Sequence, residues 1–462
     1  MSLKKTAAIA AAVGALAAIS VPAMALENEF HGMYKFMGYQ GNFFEGTTLS
    51  PTLASGRLGK DARSGFFAEQ RARIQYIAKA NADLKLVTHF ELDTRFGGVR
   101  EGYKGTTGND GGNIDADTLT LETKSIYLDF NCPITGANVK AGMQPWADSY
   151  QSLFLLADMT GVHASKKFGP ATASLGWFRF DDNTAAGSVK GPGKETADLI
   201  VLDGKFAINK DMTVGASYYY AKDDTIAAAA VQDGTTYVVT PKISKATGFT
   251  KLHVVGLNGD MTFGPANIKP FAAYQFGDRT ATQDVKAYVL GAVTKTKIGS
   301  GAINLSAMYL SGDDNAANPE KSFTTIGANQ TYFNPSNMWL LVRNGGAVNS
   351  STSVLGNDMT AGGRGLMGVF AGYEGTAGKV FYNANLGYAQ TAESRGAEDS
   401  AIGTEINAQV GYKLYDNLSV SGAVAYVVLG DALSSTTAAN RIGGAADADN
   451  PYAVNLQLSY TF

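Results

Sequence analysis

Apolar and polar residues alternate with a period of two over several long stretches of this chain. The clearest is the last: Tyr452, Val454, Leu456, Leu458, Tyr460 and Phe462 interleave with Ala453, Asn455, Gln457, Ser459 and Thr461. Successive strand side chains point to opposite faces, so this pattern predicts a strand with one greasy face. The same reading holds at 405–414, where Ile406, Ala408, Val410, Tyr412 and Leu414 alternate with Glu405, Asn407, Gln409, Gly411 and Lys413. It holds again at 84–93, where Leu84, Leu86, Thr88, Phe90 and Leu92 alternate with Lys85, Val87, His89, Glu91 and Asp93. Each run is about the 9 to 11 residues that a tilted strand needs to cross a bilayer.

The connections carry the second signal. Short turns are predicted near Ala80, Pro133, Pro170, Lys210, Pro265, Gly299, Thr376 and Asp416, and between them lie long polar segments at 95–118, 182–196, 222–248, 311–365 and 431–451. Eight hairpins, a strand near 30–39 and the terminal strand predict an all-β, up-and-down transmembrane antiparallel barrel of about 18 strands, trimmed at one end and elaborated at the other. Sixteen is the alternative count, because Gly and Ala blur the alternation between Gly161 and Phe206 and near Tyr288. A soluble sandwich would alternate identically with its apolar face inward. The rhythm of short and long connections, the aromatic end of the last strand and the N-terminus decide for the barrel.

At the N-terminus Lys4 and Lys5 precede an apolar stretch over 7–19 that ends in Ala23-Met24-Ala25. This reads as a cleaved signal peptide over 1–25, leaving a single barrel domain over 26–462. Beyond it no apolar run approaches the 18 residues of a helical span. The one cysteine, Cys132, forms no internal disulfide and stands far from the cleavage point where a lipid anchor would need it. Without the leader the chain carries 36 basic and 41 acidic residues, a balance that gives no reason to expect nucleic acid.

The final strand, ending Leu458-Ser459-Tyr460-Thr461-Phe462, resembles the terminal signal of outer-membrane proteins. Together with the leader and the hairpin rhythm, it makes the chain similar to the Gram-negative bacterial porins. The resemblance implies an integral outer-membrane location, reading of Tyr460 and Phe462 by the barrel-assembly machinery, contact with outer-membrane lipids and lipopolysaccharide, and a homotrimer. It also implies a water-filled channel for passive diffusion of small hydrophilic solutes and ions. At eighteen strands the solute-selective porins are the nearer likeness.

A closed barrel makes its lumen the functional site. Glu69, Arg71, Arg73 and Gln75 share the polar face of one strand, opposite Ala68, Gln70, Ala72, Ile74 and Tyr76. A turn over 78–82 would set Gln75 against Lys85 and Arg71 against His89, with Glu91 on the diagonal. Arg71, Arg73, Lys85 and Lys140 then form a basic stripe that biases the channel toward anions. Pairing with Glu69, Glu91 and Asp93 is the competing reading. Asn383, Asn385, Asn407, Gln409, Asn455 and Gln457 make an uncharged polar wall. By the porin resemblance, 145–160 is the candidate constriction loop, its Asp148 and Asp158 facing the stripe. The segment 311–365, with Met338-Trp339-Leu340-Leu341-Val342, packs over the pore mouth or against another subunit.

No hydrolase or haem motif accompanies His31, His89, His163 and His253, so no enzyme, cofactor or metal is expected. The acids Asp313-Asp314 and Asp447 with Asp449 read as solvated loop charge. Two other functions compete with an open channel: a barrel sheathing a separate electron-carrier protein, and an outer-membrane hydrolase with a dispersed site.

Overall fold

The computed structural model describes residues 27–43, 58–97, 121–182, 192–225, 227–233, 236–242, 249–280, 282–326, 332–344, 353–356 and 359–462. The expected leader, most of the segment at 95–118 and part of that at 222–248 lie outside them. The chain runs through β1 (Glu27–Gly41), β2 (Gly65–Asn81), β3 (Leu84–Arg95), β4 (Leu121–Asn131), β5 (Asn138–Ala147), β6 (Leu156–Phe168), β7 (Ala171–Asp182), β8 (Thr196–Asn209) and β9 (Met212–Asp223). It continues through β10 (Ala227–Asp233), β11 (Thr236–Lys242), β12 (Lys251–Phe263), β13 (Ala266–Thr280), β14 (Gln283–Ile298), β15 (Gly301–Leu310), β16 (Leu366–Ala377), β17 (Val380–Thr391), β18 (Ala401–Tyr415), β19 (Leu418–Leu429) and β20 (Tyr452–Thr461). The two-stranded ribbon β10–β11 stands apart in a connection; the other eighteen strands form one antiparallel sheet.

The sheet closes on itself. β1 pairs with β2 on one edge and with β20 on the other, in register from Met33↔Thr461 to Gly41↔Ala453. Gly32 and Phe462 finish that seam by exchanging backbone hydrogen bonds of 2.9 and 3.1 Å. No edge is left open, which is the condition for a sheet in hydrocarbon. Most of the spanning strands turn large apolar side chains outward, among them Ile74 on β2, Leu86 on β3, Leu257 on β12, Ile406 on β18 (60% exposed) and Leu456 on β20. A closed barrel with this outer belt is built for lipid.

The expected turns are present, since β2–β3, β6–β7, β8–β9, β12–β13, β14–β15, β16–β17 and β18–β19 are joined by two-residue connections at one end. Both barrel termini lie at that end. The register of the first hairpin differs from expectation. The turn sits between Asn81 and Leu84, and a bulge at Lys79/Asn81 shifts the pairing, so Arg71 faces Asp93, Arg73 faces Glu91 and Gln75 faces His89. β2 runs on to Asn81, so the turn lies two residues beyond the centre of 78–82. The faces survived because the slip was an even number of residues.

At the seam, a Cβ on Gly32 would lie 2.6 Å from the Arg73 carbonyl oxygen and run into the Phe462 ring, whereas one on Gly38 of the same strand meets nothing closer than 3.4 Å. Overpacking of this kind costs about 1–3 kcal/mol. Gly32→Val is therefore expected to lower the yield of folded, heat-modifiable barrel on gels, and Gly38→Val to leave it near wild type. Equal yields would argue against a tight seam at β1 and β20.

Candidate functional site: the lumen and its two inward loops

Alternation places all the expected lumen residues on the inner face. Glu69, Arg71 and Arg73 lie opposite Ile74 on β2; Lys85, His89 and Glu91 opposite Leu86 on β3; Lys140 is on β5, Asn407 and Gln409 on β18, and Asn455 and Gln457 on β20. The β1–β5 arc is charged, and its charges are paired. Arg71 donates from Nε and Nη2 to the two carboxylate oxygens of Asp93 at 2.7 and 2.6 Å and lies 3.3 Å from Glu91. Arg73 binds Glu91, and Arg95 binds Glu69 at 2.8 and 3.1 Å. Lys85 lies 3.4 Å from Asp129, while Lys140 sits 5.7 Å from the centre of the Tyr127 ring. Lys35, directly across from Arg71 on β1, joins the same cluster. Sequence reasoning passed over it, although the run His31, Met33, Lys35, Met37 shows its face.

Among the described residues the arc around Arg71 brings together the cations Lys35, Arg71, Arg73 and Arg95 and the carboxylates Glu69, Glu91, Asp93 and Glu122. The expected basic stripe is a ladder of alternating sign. Such bidentate, partly desolvated pairs hold side chains in fixed places. On β17–β19, separated from β1 by β20, the uncharged wall is a connected amide network: Asn383 donates to Gln409 at 3.0 Å, Gln409 donates to Ser421 at 3.1 Å, and Asn385 contacts Asn383 and Asn407.

Among the described residues two connections fold inward. The first is 148–155, between β5 and β6, which is shorter than the expected 145–160. Tyr150, Leu153, Phe154 and Leu155 are buried, and Trp146 and Phe154 pack on Tyr219 of β9. Polar contacts fix the loop to the wall: Ser149 donates to Asp203 at 2.9 Å, and the Tyr150 hydroxyl lies 2.7 Å from Ser217. Asp148 does not face the charged arc. It turns into its own loop and accepts the backbone N–H groups of Tyr150, Phe154 and Leu155 at 2.5, 2.8 and 2.7 Å. Asp158 is not in the loop either; it stands on β6, 2.9 Å from Lys124.

The second inward segment is 311–365, for which the sequence left pore mouth and second subunit open. Its described residues enter the barrel and pack against the inner faces of β13 and β15–β18. Gln275 of β13 exchanges hydrogen bonds of 2.7 and 2.8 Å with the backbone of Thr324. Phe333 packs on Phe271 and Phe370, and Met338, Leu340, Leu341 and Val342 are buried. Glu405 of β18 accepts N–H groups from Trp339, Leu340 and Leu341 at 2.7, 2.9 and 2.6 Å, and the Asn407 amide at 2.7 Å. The two inward segments touch where Tyr332 N donates to the Ser152 carbonyl at 2.9 Å. Of the acids read as solvated charge, Asp313 is buried and accepts from Asn315 and Lys321 N–H, whereas Asp314, Asp447 and Asp449 are exposed, Asp447 pairing with Lys60 and Asp449 accepting from Ala62 N–H. Among the described residues no group of three or more His, Cys, Asp and Glu side chains is placed to hold a metal.

Burial pushes the Asp148 carboxyl up to about 6, against the opposing pull of the N–H groups it accepts. A group whose pKa is raised on folding favours the folded loop below its ordinary value near 4, and that favour is lost as pH rises through the folded value. Protection of the Phe154 and Leu155 amides from hydrogen exchange, corrected for intrinsic rates, should therefore rise as pH falls from 7 to 4. Asp148→Asn should flatten that dependence. A wild-type slope in the variant would show that Asp148 is not its source.

No family profile and no curated protein matches the sequence. Solved structures do match in fold. Acinetobacter baumannii OccAB4 aligns with a TM-score of 0.53 at 13% identity, over 96% of this chain and 100% of its own. Pseudomonas aeruginosa OpdQ aligns at 0.52 and 12% identity, over 94% and 97%, and OccK2 (OpdF) of the same organism, solved in complex with glucuronate, at 0.51 and 11%, over 94% and 98%. These are outer-membrane porins; the chain shares their fold along nearly its whole length.

Proposed function

We propose that this barrel is an outer-membrane channel for the passive diffusion of small hydrophilic solutes. The observation that carries the reading is the division of the lumen. The inward loops fill the side of β7–β9 and β12–β18 with a continuous apolar core, and the charged β1–β5 arc is left to border the water path. Arg73 and Lys85 keep side-chain exposures of 30% and 39% there. A barrel of about 16–18 strands otherwise encloses a wide aqueous channel, so the loops set the size limit and the arc sets the charge preference. The filled lumen speaks against a sheath around a separate electron-carrier protein. The fold neighbours are channels, which speaks against a hydrolase.

The same proposal includes removal of residues 1–25, recognition of the Tyr460/Phe462 strand by the assembly machinery, a homotrimer, and lipopolysaccharide against the outer belt. These rest on the sequence resemblance to porins.

Because cations and carboxylates balance around Arg71, the wild-type channel should show at most a weak anion bias. In planar bilayers with asymmetric salt, Glu91→Gln with Asp93→Asn should move the reversal potential toward anions, and Arg71→Gln with Arg73→Gln toward cations. Both shifts should fade as salt rises, since the screening length is about 8 Å at physiological ionic strength. If neither pair moves the potential of a conducting channel, ions do not pass along this arc. If folded wild-type protein fails to conduct at all, the channel reading itself falls.

A further inference from the structure

Glu405 is placed where no strand-forming role requires a charge. Its neighbours on the inner face are neutral, Gly387 across from it on β17, Val427 across from it on β19 and Asn407 next along β18, and it is fully buried. No cation is within ion-pair distance of it among the described salt bridges; its acceptor capacity is taken up by three consecutive backbone N–H groups and one amide. The segment it holds has no sheet or helix of its own from 332 to 344, so those N–H groups would otherwise be stranded in an apolar interior. Stranding one costs about 1–3 kcal/mol. The remaining contacts of the segment with this wall are apolar packing and single hydrogen bonds, such as Asn407 Nδ2 to the Asn337 carbonyl at 3.2 Å and Ser306 to Ser336 at 3.2 Å. Asn334 ties the segment only to itself, through Met338 and the Arg343 carbonyl.

We infer that Glu405 is a positioning residue: its carboxylate pins the 339–341 backbone to the inner wall, and so sets how far this segment intrudes into the lumen. The inference deepens the channel reading and rests on it for its consequence in conductance, but the pinning stands on the geometry alone. Glu405→Gln keeps the shape and offers one oxygen in place of two, turning an N–H donor toward N–H donors. Glu405→Asp keeps the charge but retracts it from three donors it can no longer reach together. The Glu405 side chain makes none of the hydrogen bonds that join β18 to β17 and β19, so both variants retain the determinants of the barrel wall.

The experiment uses the full-length protein in a Cys132→Ser background, with Leu340→Cys as a reporter in one series and Leu155→Cys, in the loop held by Asp148, as its control. The rate of modification by a small, membrane-impermeant methanethiosulfonate is measured alongside single-channel conductance and heat-modifiability. On Glu405→Gln or Glu405→Asp, the reporter at 340 should react at least tenfold faster, the control at 155 should keep its rate, and conductance should rise or break into substates. Unchanged reactivity at 340 in a folded variant overturns the inference, as does an equal rise at 155, which would mean general loosening. If Glu405→Gln fails to fold, Glu405→Asp alone carries the test. A faster reporter in a barrel that never conducts, wild type included, supports the pinning and sinks the channel reading, so the two fail separately.

Discussion

Everything in this molecule depends on the need to pair backbone N–H and C=O groups where no water reaches them. In hydrocarbon that need forces the sheet to close, and closure depends on one seam, at which β1 accepts β2 on one side and β20 on the other. Gly32 is part of that solution, since the chain end at Phe462 approaches too closely for a side chain there. Once closed, the barrel turns its apolar residues to lipid, and its inner face is free to carry polarity that a soluble sandwich would have to bury at a cost.

The same constraint recurs inside. A loop that folds into the lumen brings peptide groups without a ladder to join, and here a carboxylate serves each time. Asp148 gathers three N–H groups of its own loop, and Glu405 gathers three from the segment that packs against β18. A buried carboxylate without a counter-ion is costly, and converging N–H dipoles offset that cost. The apolar side chains of the loops, Leu153 and Phe154 in one and Leu340 and Leu341 in the other, can then pack into a core that a bare barrel of this size lacks.

On the charged arc the solution is ionic. Arg71, Arg73 and Arg95 are each met by a carboxylate on the neighbouring strand, which orders the long side chains without building a one-signed field. The lumen therefore has three textures: an apolar filling, an amide wall and a charge ladder.

Strand number, the inner and outer faces and the trimmed end were legible in the sequence, because a period of two and a turn every hairpin are local properties. So was the membership of the inner face, from Glu69 to Gln457, since a strand side chain has only two directions to point. Register was not legible. The choice between Arg71 facing His89 and Arg71 facing Asp93 rests on where a hairpin turns and on a bulge at Lys79/Asn81, and both are settled by the paired strand. Nor could the sequence tell that Asp148 and Glu405 hold loops instead of facing water, or that 332–344 packs within the barrel. A carboxylate's partners there are backbone groups up to 66 residues away, brought to it only when the sheet has closed and the loop has entered. Periodicity along the chain determined which way each side chain points, and closure in three dimensions decided what it meets.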